Sequence, residues 1–273
     1  MSCDVKKIEI HGHRGCRGLL PENTIPGFVK AIELGVDVLE FDVVITKDNE
    51  VLVSHEPFMN HEICLQPNGL AILEAQEKKF NIYEMNLDEV TQFDCGSKVH
   101  PRFPEQEKIM VFKPTLLEVI KTADALNEDI KYNIELKSLE ETDNSYHPEP
   151  EEFVSLVSEI INNANIESKT VLQSFDVRIL EVINQQQPSI ETSLLIDENE
   201  SIEEKLALLS FQPDILSPYF KLLNNKNVKG YQCKSFKVIP WTVNTVEDIE
   251  IMIDLAVDGM ISDYPDLLIE ILK

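Results

Sequence analysis

Four short stretches of this 273-residue chain carry the side chains that acid–base and metal chemistry needs: His13-Arg14-Gly15, Glu40-Phe41-Asp42, Ser54-His55 and Glu135-Leu136-Lys137. Each lies where an apolar run of strand length ends. Side chains alternate across a strand, so Glu40 and Asp42 share one face, and Glu135 and Lys137 share one face. Were those faces turned toward covering helices, four charges would enter an apolar layer without partners, at several kcal/mol each. They must face the inside of the sheet. Three carboxylates brought together there repel unless a cation separates them, and the oxygen-only donors Glu40, Asp42 and Glu135 suit one hard divalent cation, Mg2+ or Ca2+. With Arg14 and Lys137 beside it, the local charge comes to about +1, which matches a phosphodiester monoanion. Cleaving such a diester requires one group to deprotonate the attacking oxygen and another to protonate the departing alkoxide. Two histidines of near-neutral pKa, His13 and His55, can divide those roles.

Taken singly, these residues have plainer uses. Glu135 and Lys137 can be an ion pair, Arg14 a solvated turn residue, and a strand-end histidine a hydrogen-bonded structural group, which is how His11 is read. Several such positions at strand ends are hard to explain without a site.

The elements that must position them alternate in type. Strand-length apolar runs fall at 7–13, 36–42, 130–136, 169–174, 190–196, 215–217, 236–242 and 259–262, with a short further strand ending at His55. Helical stretches lie at 24–34, 115–126, 150–163, 176–186, 201–209, 246–256 and 266–272, while 221–229 is not clearly helical. About eight strand–helix rounds, with no glycine-rich phosphate loop, predict an α/β fold of the (β/α)8 TIM-barrel type rather than an open doubly wound sheet. The expected organisation is a single domain over 1–273, with an insertion at 56–113 between the second and third βα units. That insertion holds a short amphipathic piece at 87–93 and the Pro- and charge-rich stretch HPRFPEQEK. A connection this long is usually functional, and after a strand's carboxyl end it would sit at the barrel mouth. The acidic runs at 140–152 and 197–204 read as solvated loop and helix-start surface.

Composition limits the partners. The 49 Asp and Glu against 24 Lys and Arg give a net charge of −25, a field that repels nucleic acid and anionic bilayers. A 43% hydrophobic content is that of a globular protein, and no apolar run is long enough to cross a membrane. The start, MSCDVKKIEI, has charges where a signal peptide needs its apolar stretch, so the expectation is a cytoplasmic protein without stable membrane association. The five cysteines show no CxxC pair and are expected to be reduced thiols.

The stretches His13-Arg14-Gly15, Pro21-Glu22-Asn23-Thr24, Glu40-Phe41-Asp42, Ser54-His55 and Glu135-Leu136-Lys137 together resemble the glycerophosphodiester phosphodiesterases. Gln173-Ser174-Phe175, Trp241-Thr242-Val243-Asn244, Asp258-Gly259 and Asp263-Tyr264-Pro265 follow in that family's order. The resemblance implies a TIM barrel with Glu40, Asp42 and Glu135 on the divalent cation and His13 and His55 as acid and base. It implies phosphate binding by Arg14, a Lys137 that contacts the phosphate or steadies the metal ligands, and an insertion near the glycerol side of the site. The substrates implied are small glycerophosphodiesters, cleaved to an alcohol and glycerol 3-phosphate. Glu56 stands where many family members have Asp. Thr24 is placed to cap the first helix, and Trp241 is a candidate wall for the glycerol or head group. Two rivals use the same residues: a cyclising phospholipase of the phosphoinositide-specific type, and a non-catalytic barrel that binds a phosphorylated ligand. The acidic surface weighs against the first, and the full set of histidines and carboxylates against the second.

Overall fold

Strands rich in apolar residues and buried on both faces are what a parallel sheet covered by helices requires, and eight strands pair side by side in the computed structural model, which describes residues 7–273. The elements are β1 (Glu9–His13), α1 (Ile25–Leu34), β2 (Val38–Ile45), β3 (Val51–Val53), α2 (Leu87–Val90), α3 (Leu116–Leu126), β4 (Lys131–Leu136), α4 (Pro150–Ala164) and β5 (Thr170–Ser174). Then come α5 (Val177–Gln186), β6 (Glu191–Ile196), α6 (Ile202–Leu206), β7 (Ile215–Pro218), α7 (Asn225–Gln232), β8 (Lys237–Val238), α8 (Val246–Asp254), β9 (Gly259–Ser262) and α9 (Pro265–Leu272). The strand order is β8-β7-β6-β5-β4-β2-β1-β9, parallel throughout. Asp258 N donates to Val238 O at 2.9 Å and Ile261 N to Pro240 O at 3.0 Å across the remaining gap, so the sheet is a nearly closed (β/α)8 barrel. β3 lies outside this ring, antiparallel to β2.

Two elements differ from the sequence reading. The stretch 236–242 forms a ladder only over Lys237–Val238, because Pro240 has no N–H to give. Residues 225–232 do form a helix, although NKNVKGYQ buries only Val228 and Tyr231; the Asn224 side chain caps it, accepting from Lys226 N and Asn227 N.

The outer helices bury one stripe each against the barrel. In α4, which opens on Pro150, Phe153, Val154, Val157 and Ile161 recur at helical spacing and are fully buried. Each such side chain contributes about 1.5–3 kcal/mol, so a Phe153→Ala change would cost about 3–5 kcal/mol. At the amino-terminal opening of the barrel lie the solvent-exposed ion pairs Glu9–Lys131 and Glu191–Lys237. Alternation places His11 on the same interior face, below His13. It is 1% exposed with Nε2 3.8 Å from Glu9, a buried structural group paired with that carboxylate.

Residues 56–113 carry an apolar core of their own, in which Met59, Ile63, Cys64, Ile72, Ile82, Val90, Phe93 and Cys95 pack on Val44 and Leu52 of the barrel. Here the reading of the cysteines is corrected: Cys64 and Cys95 are disulfide-bonded, while Cys16 and Cys233 are free and Cys3 lies outside the described residues. The partners are 31 residues apart and are aligned by the pairing of Leu65 with Asp94, which no local spacing reveals. Among the described residues no helix is long and apolar enough to cross a membrane.

Candidate active site

The loop after β1 is bent by its own sequence. Gly15 has φ +88°, and a Cβ on Gly12 would lie 2.2 Å from Gly15 O, so both positions require glycine. Arg14 itself adopts a left-handed φ of 50°, which turns its N–H onto Glu40 Oε2 at 3.1 Å. Asn23, also left-handed, returns the chain: its N–H donates to Arg14 O, and its amide donates to Asp42 Oδ2 at 2.9 Å. Thr24 then caps α1, its hydroxyl accepting from Gly27 N. Pro21-Glu22-Asn23-Thr24 thus starts the helix, as expected, and also fixes two site residues.

Glu40, Asp42 and Glu135 are buried at the carboxyl-terminal mouth, and one oxygen from each lies within 4.8 Å of the others. Gln173 donates to Glu40 Oε1 at 2.8 Å. Lys137 donates to Glu135 Oε1 at 2.6 Å and lies 3.8 Å from Asp42, so the ion pair weighed from sequence is real but belongs to a larger cluster. Arg14 sits 2.7 Å from Glu22 and 3.3 Å from Asp42. Burial, with the Asp42 and Glu135 charges, pushes the Glu40 carboxyl well above its usual range. Burial likewise raises Glu135, opposed by Lys137. Asp42 is held far below its usual range against its burial, chiefly by Arg14.

Such frustration is what a cation relieves. Asp42 Oδ1 is buried with no hydrogen-bond donor, and oxygens around Mg2+ at about 2.1 Å or Ca2+ at about 2.3–2.6 Å would stand up to about 4–5 Å apart. The triad therefore fits a divalent cation, and Glu40, Asp42 and Glu135 would hold it.

The two histidines reach the same mouth. His13 Nδ1 lies 2.5 Å from Asp263 Oδ1, and its Nε2 lies 3.9 Å from Glu40 Oε2. His55 Nδ1 lies 2.7 Å from Glu56 Oε1. The sequence reading assumed near-neutral pKa values; burial lowers both to about 4, assisted by Arg17 at His13 and by Arg14 and Lys137 at His55. Burial thus favours the neutral form of both imidazoles.

Asp263 and Arg17 carried no assignment from sequence. The Asp263 carboxylate also accepts from Arg17 Nε at 2.8 Å and Nη2 at 3.1 Å and from Asn244 Nδ2 at 2.7 Å. Asp263-Tyr264-Pro265 and Asn244 were visible as motif pieces, but a contact spanning 250 residues has no local signal. From the insertion, His100 lies 3.6 Å from Glu22, and Gln106 Nε2 donates to Arg17 O and Leu20 O. The segment thus packs against the β1 loop at the mouth. Trp241 stands one ring away from the cluster: it contacts Phe175 at 5.6 Å, and Lys137 Nζ lies 5.8 Å from the Phe175 ring centre. A cleft of about 610 Å3, lined by Ser138, Leu139, Phe175, Lys205 and Leu208, opens on that side.

Three carboxylates that could hold a cation, with two imidazoles beside them at a barrel's carboxyl-terminal mouth, are the groups that hydrolysis of phosphate esters uses. Residues 13–267 match the Glycerophosphoryl diester phosphodiesterase family, and the chain belongs to it. It is 30% identical to the glycerophosphodiester phosphodiesterase of Caldanaerobacter subterraneus over 98% of both chains, and 26% identical to one from Bacillus subtilis over 96% of this chain and 85% of that protein. A Silicibacter pomeroyi crystal structure described under the same activity superposes with a TM-score of 0.88 at 29% identity, covering 97% of this chain and 93% of that one. An Oleispira antarctica phosphodiesterase solved with its product sn-glycerol-3-phosphate shares the fold, with a TM-score of 0.76 at 22% identity over 96% and 95% of the two chains. The protein is thus a phosphoric diester hydrolase of glycerophosphodiesters.

Proposed function

We propose that the protein hydrolyses glycerophosphodiesters to an alcohol and glycerol 3-phosphate with one divalent cation, Mg2+ or Ca2+, on Glu40, Asp42 and Glu135, and with His13 and His55 as the acid–base pair. The observation that carries this reading is the buried carboxylate triad, with its orphaned Asp42 oxygen, set beside two histidines whose Nδ1 atoms are each paired to a carboxylate. A cation bound there would offset the charge that builds on the phosphoryl oxygens as the bond is attacked.

The protein's own groups supply the proton traffic. Asp263 and Glu56 accept Nδ1–H from His13 and His55, which leaves each Nε2 free for a reacting oxygen. A neutral histidine is ready to act as base. The other is the acid: the anionic diester favours its protonated form by countering the neighbouring cations, which add to the burial that lowers its pKa. Arg14 and Lys137 orient the phosphate, Phe175 walls the cleft that takes the alcohol half, and Trp241 packs against Phe175. We place the glycerol half on the side of the insertion, and treat 1–273 as one domain in which 56–113 shapes the mouth. The net charge of −25 keeps the protein from anionic bilayers, so its substrate is a dissolved diester.

The test is product identification. Incubation with glycerophosphocholine and with glycerophosphoethanolamine should release glycerol 3-phosphate and the free alcohol, followed by an enzyme-coupled assay. Release of a phosphorylated alcohol and free glycerol would reverse the placement of the two halves. Release of nothing from any diester would reject the function.

A further inference from the structure

Three of the cations around the carboxylates are already paired: Arg14 with Glu22 and Asp42, Arg17 with Asp263, and Lys137 with Glu135. A fourth, Lys113, is 4% exposed, yet among the described residues its ammonium makes no hydrogen bond or ion pair. The backbone fixes where it lies. Pro114 O accepts from Val53 N at 2.8 Å and Thr115 bridges to Leu52, so Lys113 flanks the stretch that ends in Ser54-His55. The charges that act on it are those of the mouth, Glu22 and Glu56 first, then Arg14 and Asp42. Both leading carboxylates are engaged elsewhere, Glu22 by Arg14 and Glu56 by His55.

Burying an ammonium without a partner costs several kcal/mol, and an apolar side chain would fill the same volume without that penalty. The ordinary escape, a lysine stem buried with its head in open water, is only partial here: the whole residue is 4% exposed, so the unpaired ammonium keeps no more than a sliver of solvent contact. The missing partner is an anion that comes and goes. At this mouth it is the phosphate of the bound ester, since a neutral hydroxyl would not offset the charge.

We propose that Lys113 is a further substrate-binding residue, whose ammonium contacts a phosphate oxygen of the ester alongside Arg14 and Lys137. The choice of a phosphate ester rests on the hydrolase reading. Being an unpaired charge, Lys113 holds a phosphate dianion more strongly than a diester monoanion. Inorganic phosphate and glycerol 3-phosphate are therefore inhibitors whose grip depends on it.

The experiment compares wild type, Lys113→Met, Lys113→Arg and, as a surface-charge control, Lys108→Met, an exposed residue outside the site. Binding of inorganic phosphate to the Mg2+-supplemented protein is measured by calorimetry, and KM and kcat by glycerol 3-phosphate release. Lys113→Met should weaken phosphate binding and raise KM each about tenfold, about 1.4 kcal/mol, with kcat within about threefold. Lys113→Arg should stay within about threefold of wild type, and Lys108→Met should not differ from it. Phosphate binding within twofold of wild type in a folded Lys113→Met protein overturns the proposal. So does an equal loss in Lys108→Met, which would mark a general field rather than a contact. Should Lys113→Met not fold, Lys113→Gln replaces it, and failure of both to fold overturns the proposal in favour of a purely structural lysine. A protein that cleaves no diester, yet loses phosphate binding in Lys113→Met, would reject the hydrolase reading and leave this one standing.

Discussion

Replacing Asp263 by asparagine exchanges one oxygen for an amide in the contact that sets the His13 tautomer. The carboxylate accepts from His13 Nδ1 at 2.5 Å, and so keeps Nε2 bare and turned toward Glu40 and the mouth. An asparagine that presents its NH2 to Nδ1 would reverse the tautomer and put a hydrogen on the atom meant to take one. Positioned acid–base groups are worth about 10²–10⁴ in rate, so kcat should fall by that range, with KM changing less than tenfold. A second cost falls on stability. Asp263 is held well below the usual carboxylate range by His13 and Arg17, and its loss leaves Arg17 with only the more distant Glu22, 3.6 Å away. Breaking a buried pair in this way costs about 3–5 kcal/mol, and the lower end is expected because Glu22 remains. The assay is glycerol 3-phosphate release, accompanied by denaturant melts and by Mg2+ titration. Cation affinity should not change, because Asp263 is not among the triad. A folded Asp263→Asn protein with kcat within threefold of wild type would refute the orienting role, and lost cation binding would show that the effect runs through the metal site instead.

Because burial and crowding raise Glu40 and Glu135, a cation must displace protons to bind, so its affinity should rise between pH 5 and 8, with proton release seen by calorimetry in buffers of different ionisation enthalpy. Affinity independent of pH would show that the carboxylates are already ionised. Glu135→Gln should weaken cation binding at least tenfold in the same titration. Glu9 is lowered to about 2 through His11 and Lys131; a depressed carboxyl stabilises above its unfolded value near 4.5 and loses that contribution as pH falls toward 2. After allowance for its partial exposure this is on the order of 1 kcal/mol, and acid melts of Glu9→Gln should show a shallower decline over that window. Cys64→Ser opens a loop of 31 residues and should cost up to about 3–4 kcal/mol, measured as a lower denaturation midpoint without reductant. An unchanged midpoint would mean that the apolar core of 56–113 suffices alone.

The sequence was most legible where one strand carries the information. Glu40 with Asp42 and Glu135 with Lys137 are two apart, and period-two alternation alone brings them to one face. The barrel was legible because strands buried on both sides are rich in apolar residues and recur with helical stretches between them. What escaped depends on residues far apart in the chain. The Asp263–His13 contact, the Gln173 donation to Glu40 and the Cys64–Cys95 bond join separate elements and leave no spacing to read. The histidine pKa values escaped for a related reason, since the burial and the neighbouring guanidinium and ammonium groups that lower them exist only after folding. The α7 helix was missed because its capping by Asn224, rather than apolar periodicity, marks it.

The claim most exposed to test is that one divalent cation on the carboxylate triad makes this site a hydrolase. Metal-free protein, prepared with chelator, should be titrated with Mg2+ and separately with Ca2+ while glycerol 3-phosphate release is followed. No turnover is expected at the start, then saturation at one bound cation per chain with an activation midpoint equal to the calorimetric Kd. Full turnover in the presence of chelator would contradict the claim.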